Sequence, residues 1–454
     1  MSGTEKTLIA DFTTGNITGK LYKFAFPLFL SSLLQVVYNM VDMIVVGRVM
    51  GKVGLSAVSV GGDVSNFLTF LAMGFCNAGQ VIISQYIGSG RKSELGKFVS
   101  TMFSTLILCA GIMSALCFCL RGFFLGLMNT PAEAFDQALA YSGICIAGAV
   151  FIYGYNIVSA VMRGMGDSKS PFIFIAFASV LNIVLDIVFV AKLSMGAAGA
   201  AYATVISQGL SFICCGVYIV INRSKYELVL KVKDLFTPDF KMMWALAKLG
   251  VPMAIKSASI HFSKLFVNSW INSYGVAVSA FAGVAAKLSS VSNLISNSLN
   301  TAGSSMVGQN IGAEKYERVP KIMKSVFFTV FAISTVMSFV IVVFPQPVFS
   351  VFTKDRSVLQ VAMEYIPIAV LMFYGSAARA PMNAFLNGSG NYKINFVTAI
   401  LDGIVLRIGL SVLFGLGLSR GYLGFWLGDA LAGFTPLWIG IVFYFAGNWK
   451  NPLK

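Results

Sequence analysis

Long apolar blocks constrain this chain more than any other feature. About twelve of them, each about 20 to 31 residues, are long enough to cross a bilayer as helices. They fall near 22–47, 56–86, 96–121, 136–161, 170–191, 197–222, 243–271, 277–307, 322–345, 360–386, 394–416 and 422–446. Lipid offers no hydrogen-bond partner to the backbone, so each block must close its N–H and C=O groups internally as an α-helix. Composition agrees: 57% of the 454 residues are hydrophobic and 11% are charged, against about a quarter charged in soluble domains. The expected fold class is therefore an all-α polytopic membrane protein. The first 20 residues lack the continuous apolar core of a cleavable signal, so the first span is expected to double as the insertion signal.

The net charge of +15 invites a nucleic-acid reading, but its distribution argues otherwise. With both termini inside, roughly 21 Lys and Arg fall in inside segments and roughly 7 in outside ones, the asymmetry that orients a polytopic protein. Arg91, Lys92 and Lys97, then Arg223, Lys225, Lys231 and Lys233, then Lys315, Arg318, Lys321 and Lys324 carry it. No nucleic-acid partner is expected. Cys76, Cys109, Cys117, Cys119, Cys145, Cys214 and Cys215 lie in or beside apolar spans of the first half and form no CxxC pair. Small apolar filler suits them better than redox or zinc chemistry.

The chain repeats itself. AGQVIISQYIGSGRKSE, from Ala78, aligns with AGSSMVGQNIGAEKYER, from Ala302. MRGMGDSKSP, from Met162, aligns with LNGSGNYKIN, from Leu386, at the same offset of 224 residues. Gly51 and Gly275 fit that offset, and Pro27 and Pro252 miss it by one. Two halves of six spans follow, 1–222 and 242–454, joined by a basic cytoplasmic linker at 223–241. An even span count keeps both halves in one orientation, so they are parallel repeats about an axis along the membrane normal, as in transporters. Such an arrangement places substrate between lobes that rock against each other.

Charged groups within spans are functional candidates by default, since one at the bilayer centre costs about 2.5 to 3.5 kcal/mol on insertion scales. Asp42 and Asp186 each lie about five residues from the outer end of outward-running spans 1 and 5, at about 1.5 Å per residue. Thr204 lies about seven residues into inward-running span 6, at similar depth. Asn182 precedes Asp186 by four residues and shares its helix face. Ser31, Gln35, Tyr38, Asn39 and Asp42 form a polar stripe on span 1, and Thr204 and Gln208 repeat the spacing on span 6. These faces would make an oxygen-rich pocket suited to Na⁺, or to a proton on the same carboxylates.

PLFLSSLLQVVYNMVDMIVVGRVMG (27–51), ISQYIGSGRKSE (83–94), VMRGMGDSKSP (161–171), LNIVLDIVFV (181–190), GAAGAAYATVISQ (196–208) and VGQNIGAEKYERV (307–319) together resemble the multidrug and toxic compound extrusion (MATE) family of secondary efflux transporters. The resemblance implies a bacterial or archaeal cytoplasmic-membrane exporter and, in one prokaryotic branch, a cation site. Its acidic pair, Asn and Thr match Asp42, Asn182, Asp186 and Thr204. It also implies, together with spacing, a substrate cavity including Gln35, Tyr38, Asn39 and Asn156, and a first helix that bends at Pro27. No cofactor is implied beyond the coupling ion, Na⁺ or H⁺. The partners expected are a small amphiphilic substrate and the bilayer, and the chain is read as a monomer.

The second half does not duplicate the acidic site: the offset sets Phe266, Leu406 and Leu410 opposite Asp42, Asn182 and Asp186. It is basic instead, with Lys256, His261, Lys264, Lys287, Arg379 and Arg407. Lys256 is expected to snorkel to the interface, and His261 to be packed or hydrogen-bonded. Lys264 lies nearer mid-span and is a candidate for the cavity. The spacing of five between Asp402 and Arg407 does not favour a direct pair on an α-helix; Asp429 is expected to cap or pair within span 12. Asp63, near a span start, is expected to reach water.

Cation-coupled efflux by a rocking, alternating-access mechanism is the leading functional reading. A flippase for a lipid-linked or polysaccharide precursor is the alternative, which the second-half lysines keep open. The chain holds no HExxH or phosphate-cradling loop, so no enzymatic activity is expected.

Overall fold

The computed structural model describes residues 7–128 and 130–450. Twelve helices account for the apolar blocks. In the first half they are α1 (17–50), α2 (52–88), α3 (Lys92–Leu127), α4 (Ala132–Gly164), α5 (Lys169–Lys192) and α6 (Gly196–Ile221). The second half holds α7 (Phe240–Asn272), α8 (Val276–Gly312), α9 (Val319–Val343), α10 (Arg356–Gly388), α11 (Tyr392–Gly417) and α12 (Gly421–Ala446). α4 bends by 45° at Gly148. No strand occurs among the described residues.

The repeat is written into the turns. Between α1 and α2, Gly51 sits at φ 62°, ψ −152°, and Gly275 before α8 sits at φ 110°, ψ 170°. Both lie in a backbone region open essentially to glycine alone, which is why this residue recurs at the repeat offset. Other left-handed positions also match: Gly90 with Glu314 and Gly166 with Gly390 at that offset, and Ser194 with Ser419 and Gly196 with Gly421 one residue beyond it. The two halves therefore share a turn-by-turn backbone plan as well as a sequence pattern.

Two compact units emerge. One comprises Phe26–Gly250 with the described part of Met1–Asp11; the other comprises Phe12–Ala25 with the described part of Val251–Lys454. α1 thus changes unit between Ala25 and Phe26, one residue short of Pro27, and α7 between Gly250 and Val251, one residue short of Pro252. Within the second unit, the chain entering α1 is pinned by the Phe12 amide donating to Gln309 Oε1 at 2.9 Å and by Asn310 Nδ2 donating to the Phe12 carbonyl at 3.1 Å. Within the first unit, Asp239 does the corresponding work before α7. It accepts from the Lys241 amide at 2.9 Å and pairs with Lys97 at 2.5 Å. That hydrogen-bonded ion pair holds the Asp239 carboxyl below its usual range. The 223–241 segment belongs to the first unit, anchored by Tyr226 Oη donating to Asp167 at 2.6 Å.

α1 runs through Pro27 without leaving helical geometry, its sole non-helical residue before α2 being Gly51. Ser31 Oγ donates to the Pro27 carbonyl at 2.9 Å, a local bond of the kind that loosens and bends helices.

Candidate functional site

The acidic site lies wholly within the first unit, and its geometry follows from helix periodicity. Val46, Val190, Ala200 and Ala201 pack in one buried cluster. Val46 stands one turn beyond Asp42 on α1, and Val190 one turn beyond Asp186 on α5. Ala200 stands one turn before Thr204 on α6, which runs the opposite way. Each of these apolar residues lies one turn from its polar neighbour, close to the same helix face, and all belong to one buried cluster. Small residues allow this: Ala197, Ala200 and Ala201 are at most 2% exposed, and α6 crosses close to Phe189 at Gly199.

Asp186 is fully buried, and Asp42 and Asn182 nearly so; Thr204 is half-buried. The two carboxylates lie close enough to repel each other. Tyr38, one turn inward of Asp42, lies beside Gln208, one turn inward of Thr204. Tyr141 of α4 lies within the field of both acids; nothing in its local sequence distinguishes it from a packed aromatic.

The decisive property is what these groups lack. Asp42 Oδ1, both Asp186 oxygens and both polar atoms of the Asn182 amide have no hydrogen-bond partner among the described protein atoms. Buried polar groups are nearly always paired, and an exception calls for a ligand, water or ion. Two carboxylates, a carboxamide and a hydroxyl are hard oxygen donors of the type that hold Na⁺, and either carboxylate can instead take a proton. Three or more His, Cys, Asp or Glu residues do not cluster anywhere among the described residues, so the donor set is not one for a transition metal. The helix also departs from α geometry here: α5 turns to π-helix from Ile187 to Lys192, starting immediately after Asp186. Such π turns recur at functional sites.

Other candidates are dispersed. Gln35 is half-buried and Asn39 exposed on α1. Asn156 of α4 donates to its own helix at Ile152 O, 2.8 Å away. Asp63 is exposed on α2.

The second unit overturns two expectations, for Lys256 and Asp429, and decides the Asp402–Arg407 pairing that the spacing left open. Lys256 does not snorkel; it is 8% exposed and donates to Asn383 Oδ1 at 2.7 Å. Arg407 does pair with Asp402, at 3.0 Å. The reason is a π turn at Leu401–Val405: its i→i+5 bonding lays residue 407 over residue 402, where an α-helix would swing them apart. Asp429 neither caps α12 nor pairs within it, but accepts from Arg407 of α11. The π turn at Leu413–Gly417 of α11 corresponds to the one following Asp186, whereas the turn at Asp402 has no counterpart in α5. Lys264 lines a cavity in this unit, together with Arg379, Arg407 and Asp429.

Residues 27–188 and 252–413 each match the MatE family model, one copy per repeat. A relative named "Probable multidrug resistance protein YpnP", from Bacillus subtilis, is 30% identical over 446 residues, 97% of each chain.

The chain belongs to the MATE family.

Two solved structures share the fold. One, described as MATE in the straight conformation, gives a TM-score of 0.89 at 20% identity and covers 98% of both chains. The other, a MOP superfamily transporter from Pyrococcus furiosus described as having a binding pocket of reverse polarity, gives 0.88 at 21% identity, covering 99% of this chain and 100% of the other. At these identities they establish architecture alone, the two six-helix lobes of the MATE fold.

Proposed function

We propose that this MATE-family chain exports amphiphilic compounds across a prokaryotic cytoplasmic membrane in exchange for Na⁺ or H⁺ bound at Asp42 and Asp186. The observation that carries the reading is the buried, unpartnered cluster of Asp42, Asn182 and Asp186 in one half of a repeated fold. A carboxylate pair without partners in lipid is unstable while charged, so entry of a cation from outside relieves it. Relief differs between lobe packings, and that difference lets ion binding bias which way the transporter faces. Asn182 and Thr204 supply further oxygens for Na⁺, while Tyr38 and Gln208 close the inner side. The name of the Bacillus relative supports multidrug compounds as cargo.

The test is transport in proteoliposomes under imposed Na⁺ or H⁺ gradients. Gradient-driven dye export by the wild type should be abolished in Asp42→Asn and Asp186→Asn; retention of coupled export by both variants ends the proposal. The basic cavity of the second unit favours a second reading, the flipping of a lipid-linked diphosphate. Translocation of such a lipid without any cation gradient would select it.

A further inference from the structure

The second unit holds a small, partly open pocket lined mainly by polar and charged side chains. Five helices meet there: α7 brings Lys264, α8 Asn293, α10 Ser376 and Arg379, α11 Arg407, and α12 Asp429. Its charge does not balance. Lys256, Lys264, Arg379 and Arg407 oppose two acids, Asp402 and Asp429, and Arg407 engages both of those. Arg407 is 1% exposed and is locked further by its Nε donating to the Asp402 carbonyl at 3.3 Å.

The remaining cations have neutral partners or none. Lys256 is held by the Asn383 amide oxygen. Arg379 donates to Asn293 Oδ1 at 3.1 Å, a contact that satisfies one N–H and cancels no charge. Lys264 forms no hydrogen bond or ion pair with any described residue, although Asp429, Arg407 and Arg379 all act on it electrostatically. Asn293 spends its oxygen on Arg379, which leaves its NH₂ as a donor. Ser292 and Ser376, bonded to each other at 3.0 Å, add hydroxyls to the wall. A wall of one ammonium, one guanidinium with spare donors and several neutral donors is complementary to an anion.

We propose that this cavity is an anion site, taking a carboxylate or phosphoryl group through Lys264 and Arg379, with Arg407 as a fixed positive wall. The π turn at Leu401–Val405 is the device that builds it, because it sets Arg407 against Asp402. α7 is clamped to that turn by Ser263 donating to the Gly403 carbonyl, which positions Lys264 on the same helix one residue later. The anion could be the head of an amphiphile or a free inorganic ion. The binding site stands independently of the efflux reading, whereas the corollary that exported compounds carry an anionic group rests on it.

Binding to purified protein in detergent, with no gradient imposed, tests this. Carboxyfluorescein and rhodamine 6G share a xanthene frame and differ in charge, so anisotropy titrations with both isolate the anionic contribution. Lys264→Gln should weaken carboxyfluorescein binding by at least about tenfold, the size expected for a lost charge-assisted hydrogen bond. Lys264→Arg should restore it, and Arg379→Gln should weaken it likewise. A thermal melt of each variant confirms folding. Displacement of the dye by decanoate but not by inorganic phosphate supports the site and assigns it to amphiphile heads; displacement by phosphate alone supports it and assigns it to a free anion. Wild-type affinity for carboxyfluorescein in both Lys264→Gln and Arg379→Gln overturns the proposal. Because Asp186→Asn should leave this binding intact while abolishing coupled export, failure of the anion site and failure of the efflux reading give different results.

Discussion

Replacing Asp186 by Asn should stabilise the protein when no coupling cation is available. Asp186 is 0% exposed with both carboxylate oxygens unpartnered, beside Asp42, whose Oδ1 is also unpartnered. An unsatisfied buried polar group costs about 1–3 kcal/mol, and more when charged. Asn keeps the shape and removes one of two facing negative charges, so a gain of about 1–3 kcal/mol is expected at a pH of about 8.5 in choline chloride. The wild type should recover that stability by binding its ion. At a hundred times the dissociation constant the gain is about 2.7 kcal/mol, so Na⁺ in place of choline should raise the thermal midpoint if sodium is the coupling ion. Acidification without Na⁺ should raise it if the ion is a proton. Asp186→Asn should begin from the higher midpoint and respond weakly to both. The assay is thermal unfolding of purified protein in the three buffers. A variant less stable than the wild type in alkaline choline, or one retaining the full wild-type response, would refute the reasoning.

Other outcomes follow from the second unit and from the turns. Arg407→Met should cost about 3–5 kcal/mol, because Asp402 is left buried and unpaired. The triple variant Arg407→Met, Asp402→Asn, Asp429→Asn should recover most of that loss in the same melt, and equal melting of wild type and single variant would show that the pair is not structural. Gly403→Val should lose about 1–3 kcal/mol through overpacking, since an added Cβ would lie 2.6 Å from Ser259 Cβ; carboxyfluorescein binding should weaken with it. Gly51→Ala should lose about 1–3 kcal/mol for backbone reasons alone, because nothing lies within 4 Å of the added Cβ. A melt unchanged by that substitution would contradict the backbone assigned to the turn.

Much of the candidate site was legible because helix geometry is nearly invariant. Counting residues from span ends set Asp42, Asp186 and Thr204 at one depth, and spacing of four set Asn182 beneath Asp186. Val46, Val190 and Ala200, each one turn from one of these residues, share one buried cluster. Tyr141 escaped because an aromatic on an apolar helix looks the same whether it faces a carboxylate or a methyl group.

The second unit shows where local reading stops. Periodicity assumes 3.6 residues per turn, so a spacing of five separates Asp402 from Arg407. A single π turn breaks that assumption, and no apolar pattern in LDGIV announces it. Lys256 misled for a related reason: snorkelling describes a lysine facing lipid, and only packing against α10 reveals the amide of Asn383 waiting inside.

The sequence by itself therefore determined the number of spans, the repeat, the glycine turns and the confinement of the acidic pair to one half. Each of these depends on chain length, hydrophobicity and backbone sterics, which act locally. Tertiary structure alone decided which buried charges find partners. Arg407 finds two, Lys264 finds none, and Asp186 is left unpartnered, because pairing depends on a π turn that no apolar pattern announces and on how the helices approach one another.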